Sequence, residues 1–173
     1  MSPPPNAPGR PRRVARVLLA FAAAVLATYL LASVLQTAFV LLGLRDAGAR
    51  FSPGVVLTTV LHDLHGLAFN ALFVSYPLLI AAGLAVAFPV AALLRRWTGA
   101  GRRLLYPLAG AAMMGAMLAL SRVVFYGITL YAGSRGAWGL AGQMLAGALG
   151  GLAFALVLEA AIPHRPPAEE SSP

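Results

Sequence analysis

Polar side chains that interrupt the long apolar stretches of the chain are the residues whose types and spacing could carry chemistry. The set comprises Gln36, His62, Asp63, His65, Asn70, Arg122 and Gln143. An amide or ionisable side chain inside an apolar membrane segment normally faces other helices and not lipid, so each one is a candidate functional residue. The chemistries open to such a set are metal or ligand binding, acid–base catalysis, and hydrogen bonding between helices.

Metal binding and catalysis both lack a complete set of groups. His62 and His65 stand at i and i+3, on one side of a helix, and could offer two ligands to a metal. Asp63 points about 100° away from His62 on a helix, and the chain has no cysteine, so a third ligand is missing. No second carboxylate stands near Asp63 in the apolar segments, and no serine is matched with a histidine. We therefore predict no metal site, no cofactor and no catalytic residue.

The composition places these residues in a membrane protein. Of the 173 residues, 60% are hydrophobic and only 10% are charged, and the mean hydropathy is +0.80. A soluble domain carries about a quarter charged residues, so a soluble globular protein is excluded. Four apolar runs reach the ~20 residues with which a helix crosses a ~30 Å hydrocarbon core. They cover 14–44, 66–94 with a lead-in from residue 53 left open, 104–131 and 137–162.

Short connections between these runs predict the architecture. Helices joined so tightly are antiparallel neighbours, which favours an all-α integral membrane protein with an up-down four-helix transmembrane bundle over residues 14–162. The first run is about twice as long as the apolar part of a signal peptide, so we expect it to remain uncleaved. The flanking tails, 1–13 and 163–173, are rich in proline and lack an apolar period, so we predict that both are disordered.

The distribution of arginine predicts the orientation. All thirteen basic residues are arginine, and nine of them stand on the side of the two termini and the 95–103 connection, against three on the opposite side. Because positive residues accumulate on the cytoplasmic side of a membrane, both termini are predicted to be cytoplasmic, in a bacterial inner membrane. The net charge of +8 is then mostly a topology signal that attracts anionic headgroups, and no nucleic-acid partner is predicted.

Helical rise places the strongest polar groups at similar depths. At 1.5 Å per residue, Gln36, Arg122 and Gln143 lie about 6–10 Å outward from the midpoints of their predicted spans. Asn70 stands near the outer end of the second span, with Asp63 shortly before it. We predict a polar cluster in the outer half of the bundle, with an Arg122–Asp63 ion pair if the lead-in is helical. The structural alternative is that Arg122 reaches the outer interface and the amides only tie helices together.

Small residues in the fourth span predict a helix face suited to close packing. The members of this face are Gly142, Ala146, Gly147, Gly150 and Gly151. Small residues let membrane helices approach closely, and Gly147 and Gly151 have the spacing of a GxxxG motif. Such a face can serve packing within the bundle or association with a partner.

Together these features predict a small multi-pass membrane protein without catalytic activity. It would be either a subunit of a larger membrane complex or a bundle that binds a lipid- or quinone-like molecule, with the lipid bilayer and either other membrane subunits or a second copy as partners. Two alternatives stay open: a transport component that uses the polar cluster, and an enzyme acting on a lipid headgroup with Asp63, His62 or His65 as base. Against transport, the two halves show no clear inverted repeat, and no span is predicted to be broken.

Overall fold

The fold is all-helical over the residues that the computed structural model describes, which are 10–69, 75–124 and 136–160, without the side chains of 10–12, 122 and 124. Five α-helices follow one another in this part of the chain: α1 (Arg10–Asp46), α2 (Pro53–Phe69), α3 (Tyr76–Thr98), α4 (Arg102–Val124) and α5 (Ala137–Ala160). Four of these five, all except α2, are long and apolar enough to cross a membrane. The predicted all-α class and the four apolar helices are confirmed.

The second predicted span is wrong as a single helix over 66–94. Helix α2 ends at Phe69 and α3 begins at Tyr76, and residues 70–74 between them lie outside the description. Ser75 has an extended backbone (φ −57°, ψ 140°), and its carbonyl accepts the first hydrogen bonds of α3. Pro77 stands in the first turn of α3, where its missing N–H costs nothing. The sequence Ser75-Tyr76-Pro77 is therefore the start of a helix.

The predicted boundaries differ or fall outside the description at other places too. Helix α1 begins at Arg10, so residues 10–13 belong to a helix and not to the disordered tail predicted over 1–13. The predicted ends of the third and fourth spans, residues 131 and 162, lie outside the described residues, as do 1–9 and the predicted tail 163–173.

Helix α5 packs against α4 through backbone contact at glycines. A Cβ atom added to Gly147 would lie 2.3 Å from the carbonyl oxygen of Gly110, and one added to Gly151 would lie 2.1 Å from that of Tyr106. These separations are too short for any side chain, so both positions require glycine. As the residue number increases along α5, from 147 to 151, the number of the contacted residue in α4 decreases, from 110 to 106. The two helices therefore run antiparallel.

Helix α5 packs equally closely on α1. A Cβ atom at Gly150 would lie 2.9 Å from the carbonyl oxygen of Ala24, and one at Gly142 would lie 2.7 Å from the ring of Phe39. These pairs also run in opposite directions along the two helices. The small residues of α5 are thus covered on one side by α1 and on the other by α4.

Aromatic side chains join α3 to all three of the other long helices. Phe88 of α3 stacks on Phe154 of α5 with ring centroids 4.3 Å apart, and it meets Tyr106 of α4 edge-on at 5.5 Å. Phe21 of α1 completes the layer at 6.3 Å from Phe88. Such edge-to-face and stacked pairs are favourable geometries for aromatic rings. We refer to Phe21, Phe88, Tyr106 and Phe154 as the aromatic layer, a level at which all four long helices meet.

Charged residues collect one to three turns beyond the aromatic layer, at the arginine-rich end of the bundle. The described side chains of this end are Arg13, Arg16, Arg95, Arg96, Arg102, Arg103 and Glu159. Along α1, Arg16 stands 29 residues before Arg45, a distance of about 44 Å. A bilayer with its headgroups is about 40–45 Å thick, so α1 is long enough to place these two arginines in opposite headgroup regions. The middle of that distance falls near Leu31.

Candidate functional site

A buried amide at the middle of the bundle connects three helices. Gln143 of α5 is only 1% exposed. Its Nε2 donates to the carbonyl oxygen of Ala32 in α1 at 3.0 Å, and its Oε1 accepts from the hydroxyl of Tyr76 in α3 at 2.9 Å. A buried amide without partners would be costly in an apolar interior, whereas this one is bonded through both of its polar atoms. Gln143 therefore fixes α1, α3 and α5 at one level, close to the middle of α1.

Asp63 of α2 is bound to α1. Its Oδ2 lies 2.7 Å from the hydroxyl oxygen of Thr37, a fully buried side chain. The Thr37 hydroxyl also lies 3.1 Å from the carbonyl oxygen of Ser33, but its one proton can be donated to only one acceptor at a time. Asp63 itself is half-buried. The carboxylate is therefore directed at α1.

A second hydrogen bond attaches α2 to α1. The hydroxyl of Tyr29, a buried residue of α1, donates to the carbonyl oxygen of Leu64. Helix α2 has no buried residue of its own, and only Leu64, Leu67 and Ala68 of this helix pack partly against the core. The bonds from Tyr29 and Thr37 are therefore a large part of what holds α2 in place.

Three further buried polar atoms of α1 have no hydrogen-bond partner among the described residues. They are the Oε1 atom of Gln36, whose side chain is 8% exposed, and the hydroxyl oxygens of Thr28 and Ser33. Gln36 precedes Thr37, so the unpaired amide oxygen belongs to the same turn of α1 as the contact with Asp63. The buried polar residues of α1 thus extend from its middle toward the end that carries Arg45.

The histidines do not join Asp63 in a common site. His62 and His65 are both exposed, and the ring of His65 lies 5.0 Å from that of Phe69. Within the described ranges, no group of three histidine, aspartate or glutamate residues is placed to hold a metal ion. The arrangement gives no support to an enzyme that uses these three residues together.

Two of the predicted polar residues cannot be placed. Asn70 lies outside the described residues, and Arg122 is described only by its backbone in the last turns of α4. The proposed Arg122–Asp63 ion pair therefore stays a prediction. Gly115 of α4 meets Met144, the neighbour of Gln143, so Arg122 stands about 10 Å beyond the level of Gln143. Thr37, which holds Asp63, stands about 8 Å beyond Ala32 on α1, at a similar level.

The close-packing face of α5 is buried inside the bundle. All five of its members are buried: Gly142, Ala146, Gly147, Gly150 and Gly151. They contact α1 and α4, as the glycine distances above require. This face is therefore occupied within the chain, and a partner would have to bind elsewhere.

An open apolar groove of about 430 Å³ runs between α1 and α3 toward the arginine-rich end. All four residues of the aromatic layer line this groove. The remaining lining residues are Val17, Leu18, Leu84, Ala85, Pro89, Ala92 and Leu158. Tyr106 supplies the one polar side chain of this lining, so the groove suits an apolar ligand. A second open groove of about 470 Å³, lined only by apolar residues, lies between α3 and α4.

An ion pair joins α4 and α5 at the arginine-rich end. The Nε and Nη2 atoms of Arg103 both lie 2.8 Å from Oε2 of Glu159. Since the arginine side chain is 69% exposed, the pair contributes little to stability. The pair also engages Glu159, the one carboxylate among the described side chains of this end, with Arg103.

Sequence reasoning missed several of the residues that build these sites. Tyr76 stands in a continuous apolar run next to Pro77, and a proline there is as compatible with a kink as with a helix start. Thr37 carries no distinctive signal, because a threonine within a helix usually bonds its own backbone. The grooves had no signal at all, since their lining residues are ordinary apolar residues of membrane helices.

Searches of protein-family models, of curated proteins and of solved structures found no match to this chain.

Proposed function

We propose that the chain is a non-catalytic, lipid-binding protein of a bacterial inner membrane that retains a phospholipid acyl chain in the groove between α1 and α3. The observation that carries the proposal is the groove itself, an open and almost entirely apolar cavity of about 430 Å³ whose lining continues toward the arginine-rich end. Lipid-binding sites are concave and mostly apolar, as this one is.

The orientation belongs to the same proposal. We infer an up-down bundle of α1, α3, α4 and α5 with both termini in the cytoplasm, supported by the antiparallel contacts of α5 with α1 and α4 and by the excess of arginine at one end. In this orientation the arginine-rich end faces the cytoplasm. The groove then opens into the inner leaflet of the bilayer.

The chemistry of the lining favours an acyl chain over a quinone-like ring. A quinone has two carbonyl groups, and a site that holds one usually supplies hydrogen-bond donors to orient them. The groove offers one hydroxyl, that of Tyr106, and otherwise only apolar side chains. An acyl chain needs no donors, so it matches this lining better.

The packing of α5 favours ligand binding over a role as a complex subunit. The subunit hypothesis relied on a small-residue face that could receive a partner helix. That face is buried against α1 and α4, as Gly147 and Gly150 illustrate. The open surfaces suited to a ligand lie instead on the two sides of α3.

Native mass spectrometry tests the proposal. Detergent-purified protein would be delipidated and then offered an equal mixture of phosphatidylglycerol and phosphatidylcholine. We expect one lipid to remain bound to the wild type, and Ala85→Trp, which fills the groove, to lose it. Ala82→Trp is the matched control, because Ala82 is exposed on the same helix and does not line the groove. Equal loss of lipid by both variants, or no retained lipid on the wild type, would contradict the proposal.

One observation favours transport as a second candidate function. The sequence was predicted to have no broken span, yet the helix of 66–94 is divided into α2 and α3, and α3 begins beside the buried Tyr76–Gln143 pair. Interrupted helices near buried polar groups are a feature of many transporters. Proton flux into proteoliposomes, followed with a pH-sensitive dye, tests this candidate. Flux that disappears in Gln143→Leu would support transport, and flux no faster than in empty liposomes would contradict it.

A further inference from the structure

We propose that the groove between α1 and α3 selects an anionic phospholipid, whose headgroup phosphate binds to Arg95 and Arg96 at the arginine-rich end. The inference rests on the proposed lipid-binding function and adds the chemical class of the lipid. The observation behind the inference is that the groove-lining face of α3 continues, beyond Ala92, into Arg95 and Arg96.

The two arginines extend the groove face of α3. Phe88 and Ala92 line the groove one turn apart. Arg95 follows Ala92 by three residues and Arg96 follows it by four, and residues at these spacings occupy the same side of a helix. Arg95 is half-buried and Arg96 is exposed. Their side chains therefore start at the mouth of the groove, about one turn beyond its apolar lining.

The facing helix contributes charge of the same sign. Arg13 of α1 is exposed and stands four residues before Val17, which lines the groove. Among the described side chains of this end there are six arginines and one carboxylate, that of Glu159, which is bound to Arg103. The mouth of the groove is therefore a site of net positive charge next to an apolar channel.

An anionic phospholipid has the complementary arrangement of groups. Its acyl chain matches the channel, and its phosphate matches a pair of guanidinium groups, which bind phosphate oxygens through two parallel hydrogen bonds. A zwitterionic lipid offers the same chain and phosphate, but its cationic amine would be repelled by the surrounding arginines. We therefore expect discrimination by headgroup charge and not by chain.

Basic residues at this position also have a role that needs no ligand. Arg95 and Arg96 occupy the last turn of α3, where positive charge offsets the negative end of the helix dipole. If this were their only role, replacing the two arginines would change the stability of the protein and would not change its lipid preference. The preference for one headgroup over another is therefore the informative measurement.

The experiment uses the full chain in detergent with the mixture of phosphatidylglycerol and phosphatidylcholine, both lipids carrying the same acyl chains. We expect the wild type to retain phosphatidylglycerol in preference by about tenfold. The double variant Arg95→Gln, Arg96→Gln should retain lipid but bind the two headgroups about equally. Arg95→Lys, Arg96→Lys should keep part of the preference, because it keeps the charge and loses the two-bond geometry.

Two controls make the result specific. Arg45→Gln, Arg50→Gln removes the same charge from the opposite end of the bundle and should leave the preference intact. An excess of glycerol 3-phosphate, which carries the anion without the chains, should not displace the lipid. Thermal unfolding of each variant shows whether a loss of preference accompanies a loss of folding.

Each outcome has a distinct meaning. If Arg95→Gln, Arg96→Gln keeps the preference while Ala85→Trp loses all lipid, the headgroup inference is wrong and the groove function stands. If Arg45→Gln, Arg50→Gln loses the preference equally, the selection is a general effect of net charge, which also overturns the inference. Displacement by glycerol 3-phosphate would show a site for soluble phosphate esters and not for lipid. A wild type that retains neither lipid contradicts the proposed function itself.

Discussion

The hydroxyl of Tyr76 donates to the side-chain oxygen of Gln143 at 2.9 Å, and both residues are buried at the level where α3 begins. The bond joins the first turn of α3 to the second turn of α5. Since Gln143 also donates to the backbone of Ala32, loss of either side chain affects the position of three helices. This makes the pair the natural place to test how the bundle is held together.

Tyr76→Phe should lower the free energy of unfolding in detergent by about 0.5–1.5 kcal/mol, because it leaves the Gln143 oxygen without its donor. Gln143→Leu should cost about 1–3 kcal/mol, since it removes both the acceptor of the Tyr76 hydroxyl and the donor to the carbonyl oxygen of Ala32. The double variant should cost less than the two changes together. Denaturant titration of all four proteins gives the coupling energy, and strictly additive losses would mean that the two side chains act independently.

Gly147→Ala should destabilise the bundle by about 1–3 kcal/mol, because the new methyl group would meet the carbonyl oxygen of Gly110 and force α4 and α5 apart. Gly43→Ala is the matched control: Gly43 is also a helical glycine, but nothing lies within 4 Å of its Cβ position. That control should be neutral or more stable by about 0.5–1 kcal/mol, the usual gain for replacing glycine in a helix. Melting temperatures in detergent would show the difference, and equal behaviour of the two variants would contradict the packing described here.

Thr37→Val should loosen α2 without unfolding the bundle, because it removes the partner of Asp63 and keeps the shape of the side chain. The chain has no cysteine, so a single cysteine in place of Leu67 reports on the movement of α2. We expect Thr37→Val to raise the rate at which a maleimide modifies this cysteine by about fivefold or more, because the variant loses a hydrogen bond to a carboxylate.

Thr58→Val is the control for that measurement, since the hydroxyl of Thr58 bonds only to the backbone of α2 itself. Its labelling rate should match that of the otherwise unchanged protein. If Thr37→Val labels no faster than this control, α2 is held by its apolar contacts and not by Asp63.

A double-mutant cycle with Arg122→Met and Asp63→Leu tests the predicted ion pair. If the two charges meet in the apolar interior, each single change leaves the other charge unpaired and costs about 3–5 kcal/mol, while the double change costs much less than the sum. Asp63→Leu also removes the bond from Thr37, but that loss is the same in the single and double variants and cancels in the cycle. Additive losses would mean that Arg122 reaches the interface instead.

Reporter fusions test the proposed orientation. A fusion at Gly99, in the connection between α3 and α4, should be cytoplasmic, whereas fusions at Ala47 and Ser134 should be external. The reason is the excess of arginine around Gly99 and at the termini. An external fusion at Gly99 would reverse the bundle and place the groove in the outer leaflet.

Much of the fold was predictable because hydropathy is a property of local composition. A run of apolar residues as long as 137–162 favours transfer from water into a membrane, whatever it packs against. In a membrane the backbone must form its own hydrogen bonds, so the helical class and the four apolar helices can be predicted without knowledge of their partners. The division of the second run into α2 and α3 was not predictable in the same way. Apolar residues continue on both sides of Ser75, and Pro77 is compatible with a kink as well as with a helix start.

The tertiary structure decided which polar groups meet and where the bundle is open. Asp63 was expected opposite Arg122 from depth alone, but depth does not determine the rotation of a helix about its axis, and the described partner of Asp63 is Thr37. The groove depends on the difference between α5, which packs by glycine, and α3, which packs by bulky side chains such as Phe88. The size of a cavity depends on the distances between neighbouring helices. No single segment of the sequence determines those distances, so the groove could be found only from the tertiary structure.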